Sequence, residues 1–93
     1  MAAEQTRYLL GPDARVLSLL HEHGRITRSD FSKKHGLSYS GAVNSLRFLR
    51  DHGITDFEEI RDFRDTQVWF LTEKGKVAAR KLVELVSFIE KET

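Results

Sequence analysis

The sequence predicts an α+β domain in which three helices precede a β-hairpin and one long helix follows it. Three observations carry that expectation. Apolar residues recur at helical spacing in three segments, each closed by a glycine with an apolar residue one or two positions on: Gly24 with Ile26, Gly36 with Leu37, Gly53 with Ile54. Over residues 67–71 the pattern changes to Gln-Val-Trp-Phe-Leu, which suits a strand. Helical spacing then returns from residue 73 to about residue 91. Ninety-three residues suffice for one core and not for two, so residues 1–93 are read as a single domain, its body over about 12–72 and its last helix over about 73–91.

The first helix is expected to start at Pro12, whose fixed φ and missing N–H suit a first turn, with Asp13 beside the positive end of the dipole. Ala14, Val16, Leu17, Leu19 and Leu20 form its apolar face. A short second helix follows Thr27, with Asp30 at capping-box spacing, and buries Phe31. The third runs from a cap at Ser38 to His52, with Ala42, Leu46 and Leu49 on one stripe. Residues 54–60 form a poorer strand, burdened by three acids, with Phe57 to bury; residues 61–66 are polar enough for a hairpin tip. Thr72 caps the final helix.

Composition excludes several classes. With no cysteine there is no disulfide framework, thiolate zinc site or iron–sulfur cluster. The first residues lack a basic end followed by an apolar stretch, and no run nears ~18 apolar residues, so a cytoplasmic protein without a membrane partner is expected. No catalytic constellation, phosphate loop or cofactor motif occurs, so no enzyme, cofactor or metal site is expected. His21 and His23, two apart on a helix, point about 200° from each other and cannot share an ion. The net charge of +1 hides a segregation: residues 25–53 carry six basic against two acidic residues, whereas residues 54–66 carry two against five. Local fields of this kind steer binding.

Two helices joined at Gly36–Leu37, the second longer and opening on small polar residues, have the outline of a helix-turn-helix. Opposite the Ala42, Leu46 and Leu49 stripe, a projection at 100° per residue places Ser40, Asn44, Arg47 and Asp51. Asn pairs bidentately with adenine and Arg with guanine or a phosphate. Lys33 and Lys34, with Arg28 at the start of the preceding helix, are placed to touch backbone phosphates. Asp51 would repel phosphate, and Phe48, at the margin of the exposed side, is expected to pack under the hairpin or a partner.

At this level the chain resembles the winged helix-turn-helix domain of bacterial and archaeal transcriptional regulators, over about residues 12–90. The run Ile26-Thr27-Arg28-Ser29-Asp30-Phe31-Ser32-Lys33-Lys34-His35-Gly36-Leu37-Ser38, followed by Ala42, Leu46, Leu49, Gly53 and Ile54, carries the resemblance. Leu71-Thr72-Glu73-Lys74-Gly75 is similar to the Leu-Thr-x-x-Gly that closes the wing in MarR-like and related small archaeal proteins. The resemblance implies that Tyr39, Ser40, Asn44 and Arg47 face the major groove of double-stranded DNA, and that Arg61 and Arg64 bring the wing tip to the minor groove or backbone. The sequence departs from such domains in His35, where an aliphatic residue is usual, and in its acidic wing.

Nine of the 13 residues from 77 to 89 are apolar, more than one helix face holds. Val77, Ala78, Leu82, Leu85, Val86 and Ile89 are therefore expected to form a two-fold dimer contact, in which the resemblance concurs, with Tyr8, Leu9 and Leu10 against the same helix. The resulting expectation is a homodimeric, sequence-specific DNA-binding regulator, whose small-molecule effector, if it has one, the sequence leaves open. The alternative is a protein–protein interaction module that docks a larger assembly through the acidic wing, with Trp69, Phe63 and Phe48 as anchors.

Overall fold

The computed structural model describes residues 11–61 and 66–92. Their order is α1 (Gly11–His23), β1 (Arg25–Thr27), α2 (Asp30–Lys33), α3 (Tyr39–Asp51), β2 (Thr55–Ile60), β3 (Thr66–Leu71) and α4 (Glu73–Glu92). This is the α+β winged-helix arrangement. Arg64, Phe63, Tyr8, Leu9 and Leu10 lie outside the described residues.

The sheet has the order β1-β3-β2, with both pairings antiparallel. The segment with the strongest strand composition takes the centre, and the acid-rich one takes an edge, where charged side chains discourage pairing with another chain. Ile26, Trp69 and Phe57 stand abreast across the three strands, the last two with ring centroids 4.8 Å apart. Trp69 is 3% exposed, so it belongs to the core and cannot serve as the docking anchor of the alternative reading.

The core lies between this sheet and the helices. Val16 and Leu20 of α1, Phe31 of α2, Ala42, Leu46 and Leu49 of α3, and Ala79 of α4 meet Ile26, Leu37, Trp69 and Leu71. α2 is shorter than its surroundings suggest. Its Asp30 N–H donates to Thr27 Oγ1 at 3.2 Å, as the capping spacing predicts, but the Asp30 carboxylate turns to Lys34 at 3.5 Å instead of reaching back.

The end of α3 shows why a glycine is needed there. Gly53, at φ 75°, lets its N–H reach the Arg50 carbonyl at 2.9 Å and the Ile54 N–H reach the Leu49 carbonyl at 2.8 Å, the paired bonds that close a helix. The chain then enters β2, where the buried Thr55 hydroxyl donates to the Leu46 carbonyl at 3.0 Å.

The Leu-Thr-x-x-Gly segment forms a corner on that same turn. Thr72 Oγ1 accepts from the Gly75 N–H at 3.0 Å and donates to the Gly53 carbonyl at 2.6 Å, while the Thr72 N–H donates to the Ile54 carbonyl at 3.1 Å. Lys74 Nζ adds a bond to the His52 carbonyl at 2.8 Å. A Cβ on Gly75 would collide with the Ile54 carbonyl oxygen. The start of α4 is thus fastened to the end of α3.

Candidate nucleic-acid interface

The geometry of α3 follows from its two unlike sides. Ser38, in extended conformation, accepts the Gly41 N–H at 3.3 Å and starts the helix. Ala42, Ser45, Leu46 and Leu49 are buried, and the turn at Gly53 with the Thr55 bond fixes the helix about its own axis. The other side is consequently committed to solvent: Tyr39, Ser40, Asn44, Arg47, Phe48 and Asp51 are all exposed.

Arg28, half-buried at the turn before α2, places its guanidinium carbon 5.7 Å from the centre of the Tyr39 ring. That contact brings a phosphate-binding candidate to the first residue of α3, an approach favoured by the attraction of a cation to a ring face. Lys33 and Lys34 are exposed at the end of α2. Arg61 is exposed just past β2.

The basic segment is less uniform than its sequence count. Lys34 pairs with Asp30, Arg50 with Asp56 at 3.2 Å, and Arg25 with Glu58 at 3.2 Å. Arg50 and Arg25 also lie over the Phe57 and Phe70 rings, 4.9 and 5.3 Å from their centres. Among the described residues, Arg28, Lys33 and Arg47 form no ion pair. All three belong to the helix-turn-helix.

Two ring contacts escaped the sequence reading. Phe48, expected under the hairpin or a partner, is 51% exposed, with the His52 ring 4.5 Å from its own. His35 is half-buried and its ring lies 4.8 Å from that of His23, while its carbonyl accepts from Arg15 Nη2 at 2.8 Å. Burial, and then the neighbouring His23, hold the His35 pKa below its ordinary value. Each of these histidines immediately precedes a helix-closing glycine, Gly24 or Gly36, a parallel that could have paired them. Among the described residues no group of three or more His, Asp or Glu side chains is arranged to hold a metal ion, and no helix is long and apolar enough to cross a membrane.

The six residues assigned to self-association divide between two sides of α4. Ala78 and Leu82 pack on the domain's own core and Val86 is buried, so these three are already in use. Val77 and Leu85 are exposed, as are Val83 and the 60%-exposed Phe88, which the sequence reading did not assign; Ile89 is intermediate.

No protein-family model matches the sequence, and no curated protein does. Solved structures match it in fold. A cysteine-to-serine mutant of MarR from E. coli superposes with TM-score 0.78 at 16% identity, over 94% of this chain and 71% of that one. A MarR family transcriptional regulator from Silicibacter pomeroyi gives 0.75 at 25% identity, over 90% and 56%. FabT from Streptococcus pneumoniae, solved in complex with DNA, gives 0.72 at 18%, over 86% and 56%. The chain thus has a MarR-like winged-helix fold, and it spans little more than half the length of the last two proteins.

Proposed function

We propose that this chain is a cytoplasmic, homodimeric winged-helix protein that binds double-stranded DNA sequence-specifically as a transcriptional regulator and carries no catalytic activity. The observation that carries the reading is the disposition of α3. Its apolar side is occupied by the core, and its polar side stands in solvent beside Arg28 and Lys33, neither of which is ion-paired among the described residues. A protruding helix of this kind fits a major groove about 12 Å wide. Asn44 and Arg47 are its base readers, Ser40 and Tyr39 approach at its start, and Arg28, Lys33 and Lys34 hold phosphates. Arg61, and Arg64 outside the described residues, are assigned to the wing's approach. The DNA in the FabT complex supports the same use of the fold.

The dimer rests on α4. Of the seven large apolar residues exposed among those described, four (Val77, Val83, Leu85 and Phe88) lie on this helix, and Val77, Leu85 and Phe88 share the side opposite Ala79 and Val86. A helix with its own domain on one side and an apolar strip on the other suits a two-fold contact.

Salt dependence of duplex binding tests the reading. Arg28, Lys33 and Lys34 at phosphate give about six phosphate contacts per dimer, hence a slope of log affinity against log salt near −5, or about 10³-fold loss between ~50 and ~200 mM. Lys33→Ala should remove about two phosphate contacts per dimer and flatten the slope by nearly 2, whereas Arg47→Ala should weaken binding by about 1–3 kcal/mol and relax specificity. Binding that is unchanged when Arg47, Lys33 and Lys34 are all replaced by alanine would remove the assigned surface.

A further inference from the structure

We propose that Phe48 reads a thymine methyl group in the major groove, making this residue a specificity determinant that follows Asn44 along α3; the inference rests on the DNA-binding reading above. Phe48 lies one helical turn beyond Asn44, next to Arg47, on the solvent side of the helix. Half of it remains in water, although burial is what a ring of this size ordinarily gains from folding. The exposure is not that of a loose side chain. The His52 ring backs it at 4.5 Å, tilted by 46°, and His52 Nδ1 donates to the Phe48 carbonyl at 2.9 Å. The imidazole is therefore anchored to the backbone of the very residue whose ring it supports. A ring restrained on one side loses little freedom when its other side is covered, which favours binding.

The chemistry of the groove selects the target. A phenyl ring offers no hydrogen-bonding group, and the apolar feature that the major groove presents is the C5 methyl of thymine. Four residues of helix advance about 6 Å, a little under two base-pair steps of about 3.4 Å. Asn44, matched to adenine, and Phe48, matched to a thymine methyl, thus address positions about two base pairs apart. Asp51, one turn past Arg47 at the far end of the exposed side, faces phosphate unfavourably, so the methyl contact falls near the end of the tract that α3 can follow.

The experiment begins with a duplex selected by the wild-type protein from a random pool. That duplex is resynthesised with deoxyuridine replacing thymidine one position at a time, a change that removes the methyl and leaves base pairing intact. Wild-type affinity should fall about fourfold for the methyl in contact, equivalent to ~0.8 kcal/mol. Phe48→Ala should bind the thymidine duplex more weakly and be indifferent to deoxyuridine at that position, while Phe48→Leu should retain part of the discrimination. Because the ring is exposed, both variants should keep the wild-type circular dichroism and melting temperature. Wild-type indifference to every deoxyuridine, or an equal loss in Phe48→Ala, overturns the assignment while leaving DNA binding standing. Failure to retain any duplex overturns both.

Discussion

Replacing Gly75 by alanine sets helix propensity against packing, and the structure decides the sign. Gly75 sits inside α4, where alanine is preferred over glycine by about 1 kcal/mol. The added Cβ, however, meets the Ile54 carbonyl oxygen, with the Ile54 carbonyl carbon at 3.0 Å and the Leu71 Cβ at 3.3 Å. None of these is the movable end of a long side chain, so α4 itself must retreat. Retreat stretches the bond from the Thr72 N–H to the Ile54 carbonyl and the bond from the Thr72 hydroxyl to the Gly53 carbonyl. Overpacking costs about 1–3 kcal/mol and each weakened bond about 1, so after the propensity gain a net loss of about 2–4 kcal/mol remains. For a domain of this size that lowers Tm by about 10–30 °C. Thermal melting followed by far-ultraviolet circular dichroism, at one fixed protomer concentration, reads it. Gly41→Ala is the internal control. Its Cβ would meet only Ser38 side-chain atoms at 3.6 Å, so it should raise Tm by a few degrees. A Gly75→Ala variant that melts at or above the wild type would show that the corner does not fix α4 and would refute the reasoning.

Self-association and pH give two further outcomes. Leu85→Glu combined with Phe88→Glu, both exposed, should convert a sedimenting dimer to a folded monomer, whereas Val86→Glu, aimed into the domain, should lower Tm; a double variant that still sediments as a dimer removes the outer face of α4 from the contact. His35, with its pKa held below the ordinary 6.5, takes up its proton more readily in the unfolded chain, so its contribution is complete above that value and declines as pH falls below it. The fall in Tm between pH 7.5 and 5.5 should therefore be smaller in His35→Leu than in the wild type, and an equal fall would assign the pH dependence to other groups.

What the sequence made legible is what short-range chemistry determines. Ser38 and Thr72 cap the helices that follow them, and Gly24, Gly36 and Gly53 end the segments before them, because these effects act within one turn. The stripe of Ala42, Leu46 and Leu49 is enough to orient α3. The rest depends on partners distant in the chain. Arg25, Ile26 and Thr27 hold a strand because β3 offers them an edge, and the pairing of Arg25 with Glu58 joins residues 33 positions apart. By sequence Phe48 is expected under the hairpin or a partner, yet it is half-exposed, with the ring of His52, at the end of its own helix, beside it. The greasy composition of α4 announced two apolar sides without saying which residues belonged to which; Gly75, pressed on Ile54, fixes that rotation.

The acidic wing takes on a different meaning once its partners are seen. Asp56 and Glu58 face Arg50 and Arg25, so they tie β2 to the end of α3 and to the far edge strand. Such exposed pairs contribute about 0–1 kcal/mol each, and their larger effect is on position. They also engage two cations that phosphate would otherwise attract. A single subunit with three cations at phosphate, Arg28, Lys33 and Lys34, would bind duplex with a salt slope of only about −3. In the proposed dimer, the second contact would become intramolecular, at an effective concentration that strengthens binding without any added charge. On the proposed reading, the polar side of α3 and the exposed apolar side of α4 are interdependent: the first would carry little charge in a single copy, and the second would provide the coupling through which two copies act at once.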